Sequence, residues 1–294
     1  MKNRLLLCIN PVSGKGKAKA KLFDTVKAFS DRNYSVTVLL TRPGRGTEKD
    51  ILEGIKNFDT VVAVGGDGTL NNVINGIMKS KAQIPLGYIP FGSTNDFAAS
   101  FGLTDNIDKE VERIAGHEPS PIDVGSFNDD YFAYIACTGV FTESSYSTSR
   151  QMKNALGQSA YIFGALSNLS VAHDAEIKIE TQNEIIEGSY IFASVINSLR
   201  AGGIFKFTQK DVSFDDGLFE LLLAPSPDNF TEGSALVRDV ISSGLSSRKL
   251  IHRKVDKCII SCKKPQKWSV DGENGGENSR VTINVHKKAL FFIK

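Results

Sequence analysis

The chain has 294 residues, of which 41% are hydrophobic and 23% charged, and this composition is typical of a globular protein long enough for two domains with separate cores. Its 35 Lys and Arg residues against 33 Asp and Glu residues give a net charge of +2, which excludes the global basic field of a dedicated nucleic-acid binder. The N-terminal apolar run, residues 5–9, is too short for a signal peptide, and no run of about 18 apolar residues follows, so we expect a soluble, cytoplasmic protein.

The first hundred residues alternate between strand and helix signals. Short apolar or β-branched runs predict four strands, at 4–10, 35–41, 60–65 and 85–90, with helices between them. Ser13 is expected to cap the first helix, and Thr47 with Asp50 resembles a capping box. Strands that are apolar on both faces and separated by helices indicate a parallel sheet, in which ligands bind beyond the carboxyl ends of the strands.

Beyond residue 120 the pattern indicates a mainly antiparallel region. Hairpin turns are predicted at 128–130 and near 182–183. Further strands are predicted at 218–223, 257–262, 281–285 and 290–293, and helical stretches near 142–169 and 227–243. We therefore expect an α/β domain over 1–123 and a mainly antiparallel β domain over 124–288, with the final strand, 289–294, a candidate for returning to the first domain.

The stretch GGDGT, residues 65–69, interrupts the chain directly after a strand that is apolar on both faces. Its glycines would let backbone N–H groups approach a ligand, and a helix starting near Thr69 would point its positive end at a phosphate. Asp67 among such donors makes chemical sense when a divalent cation lies between the carboxylate and the phosphates. The alternative is a tight strand-to-helix turn with Asp67 as the helix cap.

Four other loops each leave two interpretations open. NPVSGKG, 10–16, lacks the spacing of a P-loop, so its lysines indicate either a solvated basic face or a phosphate site. The short polar side chains of GSTND, 92–96, can cap a helix or bond a nucleotide. Glu273 in VDGE is either part of an Asp-Gly hairpin turn or a general base on a loop. The pair Asp215–Asp216 forms either a cation site or a plain turn.

Taken in chain order, NPVSGKG, GGDGTLN, PFGSTNDFA, IDVG, SLRAGGIFKFTQKDVSFDDGL and VDGE resemble the bacterial diacylglycerol kinase catalytic-domain family, lipid kinases related to sphingosine kinases. The resemblance covers essentially the whole chain. It implies an N-terminal α/β domain with a NAD kinase/phosphofructokinase-like parallel sheet, a C-terminal β-sandwich domain that binds the lipid, and ATP in the cleft between them. The chain departs from the family pattern at Asn72, where many members have Glu, and at Ser93, where Thr is common.

The resemblance also implies roles for particular residues. Asp67 would act in a magnesium–phosphate network that Asp123 supports, and Glu273 would be the base toward the lipid hydroxyl. The nucleotide site would be lined by Asn10, Ser13, Thr41, Gly65, Gly66, Gly68, Thr69, Gly92, Ser93, Thr94, Asn95 and Asp123. A structural magnesium ion would be held by the Asp216 side chain and by the backbone oxygens of Ser213 and Leu218.

The function implied by the resemblance is ATP- and magnesium-dependent phosphorylation of a lipid alcohol, with diacylglycerol as the first substrate. Phosphatidylglycerol, sphingoid bases, ceramide and polyprenols are alternative acceptors, and an NAD kinase or a non-catalytic nucleotide-binding regulator is an alternative function. A basic cluster favours peripheral contact with an anionic membrane, although a solvated loop explains it equally well. The cluster comprises Arg248, Lys249, Arg253, Lys254 and Lys257. No pattern specifies the oligomeric state, and a homodimer is kept as one alternative.

Overall fold

The structure is a computed structural model that describes residues 3–42, 44, 46–139, 175–201, 205–208, 211–243 and 247–294. It is rich in β-sheet and divides into two compact units. Unit 1 comprises Met1–Val124, Asp130–Ala133 and His286–Lys294, and unit 2 comprises Gly125–Asp129 and Tyr134–Val285. Unit 1 is therefore assembled from three separate stretches of the chain.

Unit 1 alternates strands and helices. In chain order these are β1 (Asn3–Ile9), α1 (Lys17–Ala20), α2 (Leu22–Ser30), β2 (Tyr34–Leu40), α3 (Gly46–Gly54), β3 (Thr60–Gly65), α4 (Asp67–Ser80), β4 (Leu86–Pro90), α5 (Asp96–Ser100) and α6 (Ile107–Gly116). Strands β2, β1, β3 and β4 lie side by side in that order, and each neighbouring pair is parallel. The predicted parallel sheet is confirmed for this part of the chain.

The core of unit 1 forms because the strands are apolar on both faces. Leu5 and Leu7 of β1 and Val62 of β3 are fully buried, and α2 and α6 pack against this cluster. Gly87 of β4 lets α6 approach closely, since a Cβ there would lie 2.7 Å from Cδ1 of Ile114. The sheet is thus held rigidly enough to fix the loops that leave its carboxyl edge.

Unit 2 consists mainly of antiparallel strands. The remaining elements of the chain are β5 (Ser120–Phe127), β6 (Asp130–Phe132), β7 (Ile135–Gly139), β8 (Ala175–Thr181), β9 (Ile185–Ile196), β10 (Arg200–Ala201), β11 (Phe205–Lys206), β12 (Phe219–Pro225), α7 (Phe230–Ser243), β13 (Ile251–Val255), β14 (Lys257–Val270) and β15 (Glu273–Phe292). Of these, strand β6, the first part of β5 and the end of β15 still belong to unit 1. Both β9 and β14 change partner along their length, so β7, β9, β8 and β14 form a closed hydrogen-bonded circuit. Strands β12 and β13 extend this sheet from β9.

The last residues of β15 belong to unit 1, where they extend the parallel sheet beyond β4. Phe292 is in register with Leu86, and the amide of Ile293 donates to the carbonyl of Leu86 at 3.0 Å. The Phe292 ring lies 5.1 Å from the rings of both Phe97 and Phe101. These contacts tie the C-terminal segment into the core of unit 1.

Several local predictions are confirmed and others are wrong. Turns follow β5 and β8 as expected, and α7 covers most of the helix predicted at 227–243, whereas the helix predicted at 142–169 lies outside the described residues. Ser13 caps no helix, because α1 starts only at Lys17 and Gly16 precedes it. The capping box is also wrong: Thr47 lies inside α3, and its hydroxyl accepts the amide of Arg42 at 2.9 Å.

Candidate active site

Loops that follow β1, β3 and β4 meet at the carboxyl edge of the parallel sheet in unit 1. The amide of Phe91 donates to the carbonyl of Gly65 at 2.6 Å, and the amide of Asn10 donates to the carbonyl of Val64 at 2.9 Å. The loop after β2 begins at the same edge, because the amide of Thr41 donates to the carbonyl of Ile9 at 2.9 Å. The structure therefore brings the loops that carry the predicted nucleotide-site residues onto one edge, with the exception of Asp123, which lies on β5.

Glycines allow these loops to approach one another. A Cβ on Gly92 would lie 2.7 Å from Cα of Gly66, and a Cβ on Gly14 would lie 3.0 Å from the carbonyl oxygen of Phe91. Gly65 faces Thr69, whose Cβ would be only 2.8 Å from a Cβ at that position. A side chain at position 14, 66 or 92 would push neighbouring loops apart, and one at position 65 would collide with Thr69 at the start of α4.

Asn95 organises the loop after β4. It has a left-handed backbone conformation with φ of 51°, and its Oδ1 accepts the amide of Gly92 at 2.9 Å while its Nδ2 donates to the Gly92 carbonyl at 3.0 Å. The neighbouring Tyr88 hydroxyl donates to the Gly65 carbonyl at 3.2 Å. Burial and the charge of Asp67 raise the pKa of Tyr88 well above its usual value, so this phenol remains a hydrogen-bond donor. The Asn95 amide thus shapes the loop and does not cap α5.

The N-terminus of α4 carries the GGDGT motif. The helix begins at Asp67, two residues earlier than predicted, and the amides of Thr69 and Leu70 both donate to the carbonyl of Gly66, at 2.9 and 3.1 Å. Asp67 is half-buried at this positive helix end, close enough to influence Tyr88. Backbone donors, a helix dipole and a carboxylate are the groups that bind a phosphate with its divalent cation.

Short polar side chains surround this helix end. The Asn10 side chain accepts the amide of Val12 at 3.1 Å, which forms an Asx turn, and the Ser13 amide donates to the Asn10 carbonyl at 3.1 Å. Ser93 and Thr94 are exposed to solvent, while Ser13 and Thr41 are half-buried. Hydroxyls with this exposure remain available to bond a polar ligand.

Asp123 and Asp96 are buried carboxylates of unit 1, the first on β5 and the second at the end of the loop after β4. Asp123 is fully buried on β5, and its Oδ1 accepts the amide of Lys288 at 2.7 Å, so the predicted supporting carboxylate is bonded to the C-terminal segment. Asp96 is 2% exposed and is the first residue of α5. Asp96 is part of the stretch 92–96 that was predicted to cap a helix or bond a nucleotide, but the family resemblance gave it no role of its own.

In unit 2, Glu273 follows a two-residue hairpin turn between β14 and β15. Asp271 and Gly272 have φ values of 49° and 80°, which is the Asp-Gly geometry of a type I′ turn. Asp271 is 1% exposed, and its Oδ1 accepts the amides of Tyr134 and Ile135 at 3.0 and 3.1 Å. The Glu273 side chain is exposed. Asp271 therefore fixes the turn, and Glu273 projects from it with its carboxylate accessible.

The predicted metal site lies on the turn before β12, also in unit 2. Asp216 Oδ1 accepts the amide of Leu218 at 3.0 Å, and Oδ2 lies 3.5 Å from Nζ of Lys254. The Ser213 hydroxyl bonds to Asp215 at 3.2 Å. Among the described residues no three His, Cys, Asp or Glu side chains are grouped to hold a metal ion. The ligand set of Asp216 with the Ser213 and Leu218 carbonyls stays a prediction.

The basic cluster at 248–257 is partly neutralised within unit 2. Arg253 pairs with Glu184, and Lys254 pairs with Asp216 and Glu220. Arg248, Lys249 and Lys257 are exposed. Two of the five basic side chains therefore pair with the acidic side chains named above, and the other three are exposed to solvent.

Known proteins resemble this chain over most of its length. Residues 4–127 match the model of the diacylglycerol kinase catalytic domain. The chain is 28% identical to a diacylglycerol kinase of Bacillus subtilis strain 168, over 97% of this chain and 94% of that protein. It is 29% identical to a diacylglycerol kinase of Staphylococcus haemolyticus, over 95% of this chain and 84% of that protein.

Solved structures show the same fold over nearly the whole chain. A crystal structure provisionally assigned as a diacylglycerol kinase from Bacillus anthracis str. Sterne has a TM-score of 0.83 and 25% identity, covering 99% of this chain and 95% of that one. These relatives support a lipid kinase enzyme. The chain resembles diacylglycerol kinases over nearly its whole length, and the family model itself matches residues 4–127. Among the described helices, none is both long and apolar enough to cross a bilayer.

Proposed function

We propose that the protein transfers the γ-phosphate of ATP to the free hydroxyl of diacylglycerol and so forms phosphatidic acid. Relatives from Bacillus subtilis and Staphylococcus haemolyticus carry the name diacylglycerol kinase, and nearly all of this chain aligns with each of them. Phosphoryl transfer needs little covalent chemistry from a protein, because positioning and charge neutralisation supply most of the catalysis. The site in unit 1 offers groups suited to both tasks.

The observation that carries the proposal is the convergence of glycine-bearing loops on the N-terminus of α4. Gly66 and Gly92 come so close that neither position has room for a Cβ without displacing the other loop. The backbone there can approach a triphosphate without side chains in the way. Asn10, Ser13 and Thr41 on neighbouring loops, with Ser93 and Thr94 after β4, would hydrogen-bond the nucleotide.

The residues of unit 1 also fit a magnesium ion bound with the nucleotide. Asp67 provides a hard oxygen ligand at a helix end that attracts phosphate, which is the donor chemistry magnesium requires. When bound, magnesium would neutralise the charge on the phosphates. Asp67 would hold the ion, the α4 amides would orient the phosphates, and Asp123 would support the carboxylate network from β5.

Glu273 is proposed as the base that accepts the proton of the lipid hydroxyl as it attacks. Its side chain is exposed, while the turn that carries it is fixed by the buried Asp271. An accessible carboxylate on a rigid turn can meet an incoming hydroxyl, which is the geometric requirement for a general base.

We also infer that unit 1 has the NAD kinase/phosphofructokinase-like architecture and that the closed strand circuit of unit 2 is part of a β-sandwich.

A peripheral approach to the membrane is proposed for delivery of the lipid. Arg248, Lys249 and Lys257 are exposed, and near an anionic leaflet each basic residue contributes about 1 kcal/mol to binding. Sedimentation with liposomes tests this directly. Binding that does not increase with the anionic lipid fraction would exclude docking by charge.

The reaction is tested by following labelled γ-phosphate from ATP in the presence of magnesium. The acceptors are diacylglycerol, phosphatidylglycerol, a sphingoid base, ceramide and a polyprenol in mixed micelles, together with NAD, and Asp67→Ala is run beside the unmodified protein. Labelled phosphatidic acid that disappears in the variant is the expected result. Label in NAD, or binding of ATP without transfer to any acceptor, would refute the proposal and favour an NAD kinase or a regulator.

A further inference from the structure

Unit 2 contains a linked set of charged side chains that the proposed reaction does not use. Glu220 on β12 is 2% exposed, and a buried carboxylate needs a positive partner to offset its desolvation. Strand β13 supplies two neighbours: Lys254 is in register with Glu220, and its Nζ lies 3.3 Å from Glu220 Oε1, while His252 Nε2 hydrogen-bonds Glu220 Oε2. Both oxygens of this buried carboxylate are therefore engaged.

The same ammonium reaches the turn before β12. Nζ of Lys254 lies 3.5 Å from Oδ2 of Asp216, and Oδ1 of that carboxylate accepts the amide of Leu218 at 3.0 Å. Lys254 is therefore shared between two carboxylates, one buried and one half-buried. Two carboxylates within 3.5 Å therefore receive their positive charge from one lysine side chain.

This arrangement conflicts with a divalent ion on the Asp216 turn. Magnesium bound by protein oxygens takes one or two carboxylates at about 2.0–2.1 Å in near-octahedral geometry. Here the single nearby carboxylate of the expected ligand set already has an ammonium beside Oδ2 and an amide on Oδ1. A second cation at Asp216 would be repelled by the first. The residues of this turn consequently do not fit a structural magnesium ion.

We propose that Lys254 takes the place of a structural magnesium ion in this chain, so that the Asp216 turn and the buried Glu220 are charge-balanced by the protein itself. The inference concerns unit 2 alone and does not depend on the proposed reaction. Magnesium that accompanies a nucleotide in unit 1 is a separate matter, because its ligand there would be Asp67.

The test measures thermal unfolding of the full chain without nucleotide, in EDTA and in millimolar magnesium. Every protein carries the Asp67→Ala substitution, so that metal bound in unit 1 does not contribute. In this background, the variant Lys254→Met keeps the aliphatic stem and removes the charge. Lys264→Met is the matched control, because Lys264 is exposed on β14 and its loss changes the net charge equally.

The parent is expected to unfold at the same temperature in EDTA and in magnesium. Lys254→Met should unfold several degrees lower in EDTA and recover part of the loss in magnesium, because the freed carboxylates can now bind the ion. Lys264→Met should show neither effect, and adding Asp216→Asn to Lys254→Met should abolish the recovery. A magnesium-dependent rise in the parent, or a Lys254→Met protein that behaves as Lys264→Met, would overturn the inference. So would a Lys254→Met protein that is destabilised but insensitive to magnesium.

Discussion

Replacing Gly92 with alanine tests whether the close approach of two loops creates the nucleotide site. The added Cβ would lie 2.7 Å from Cα of Gly66, whereas carbon atoms pack at about 3.5–4.0 Å, so the loops must separate by roughly 0.8 Å or more. Overpacking of this kind costs about 1–3 kcal/mol, which corresponds to a fall in Tm of roughly 2–10 °C. A misplacement near 1 Å can reduce turnover by about a hundredfold.

The assay compares Gly92→Ala with Gly54→Ala by thermal unfolding and by kcat/KM for ATP. Gly54 is the matched control, because it ends α3 in a backbone conformation open to alanine, and a Cβ added there would have no other atom within 4 Å. We expect Gly92→Ala to lose about 10- to 100-fold in kcat/KM for ATP along with its loss of stability. If Gly92→Ala matched Gly54→Ala in both Tm and kcat/KM, the loops would be far more adaptable than the geometry indicates, and the reasoning would fail.

Three further predictions concern other parts of the molecule. Asp271→Ala should destabilise unit 2 by about 1–3 kcal/mol for each of the two amides left without an acceptor, and Asp271→Asn should destabilise it by less. Thermal unfolding measures both effects, and two variants that unfold at the same temperature as each other would contradict this. Glu273→Gln should lose turnover while its Tm and ATP affinity stay unchanged, because the side chain is exposed, and unaltered turnover would remove Glu273 from the reaction. Burial raises the pKa of Cys137 and Cys258 to about 12 and of Cys262 to about 11, so these three thiols should react slowly with a labelling reagent at pH 8 until the protein is denatured. In the unfolded chain the same thiols lose their protons near the ordinary thiol pKa of 9.0, so the stability of the folded protein should fall as the pH rises above about 9. Rapid labelling of these thiols in the native protein would refute the burial argument.

The parallel sheet could be predicted from sequence because its signal is local. Each strand of unit 1 is a short apolar run, and each of the loops at its carboxyl edge is marked by glycine and polar residues directly after that run. The placement of Gly66 beside Gly92 follows from the pairing of β3 with β4, which the alternation of strands and helices did not specify.

Features set by distant partners were not predictable in the same way. Strand β14 continues through the mostly exposed residues 263–267, which have no strand pattern; the register with β15 shifts in this stretch, and Gln266 and Lys267 pair with Asn278 and Glu277. Asp271 looked like an ordinary turn residue, because its acceptor role depends on amides at 134 and 135. Thr47 failed as a cap because Arg42, in the preceding loop, uses its hydroxyl. From the sequence, Lys254 resembled a surface charge, because its partners Glu220 and Asp216 lie on other elements that are distant in the chain.

The three-part composition of unit 1 has a consequence for protein synthesis. While the ribosome is still adding residues, β4 has an open edge, the Leu86 carbonyl lacks the Ile293 amide, and Phe97 lacks its contact with Phe292. Domains usually fold in order of their emergence, but the parallel sheet of unit 1 is not complete until residues 286–294 have been made. An open, apolar sheet edge is a template for intermolecular pairing. The nascent chain should therefore depend on chaperones most strongly before residues 286–294 have emerged to pair with β4.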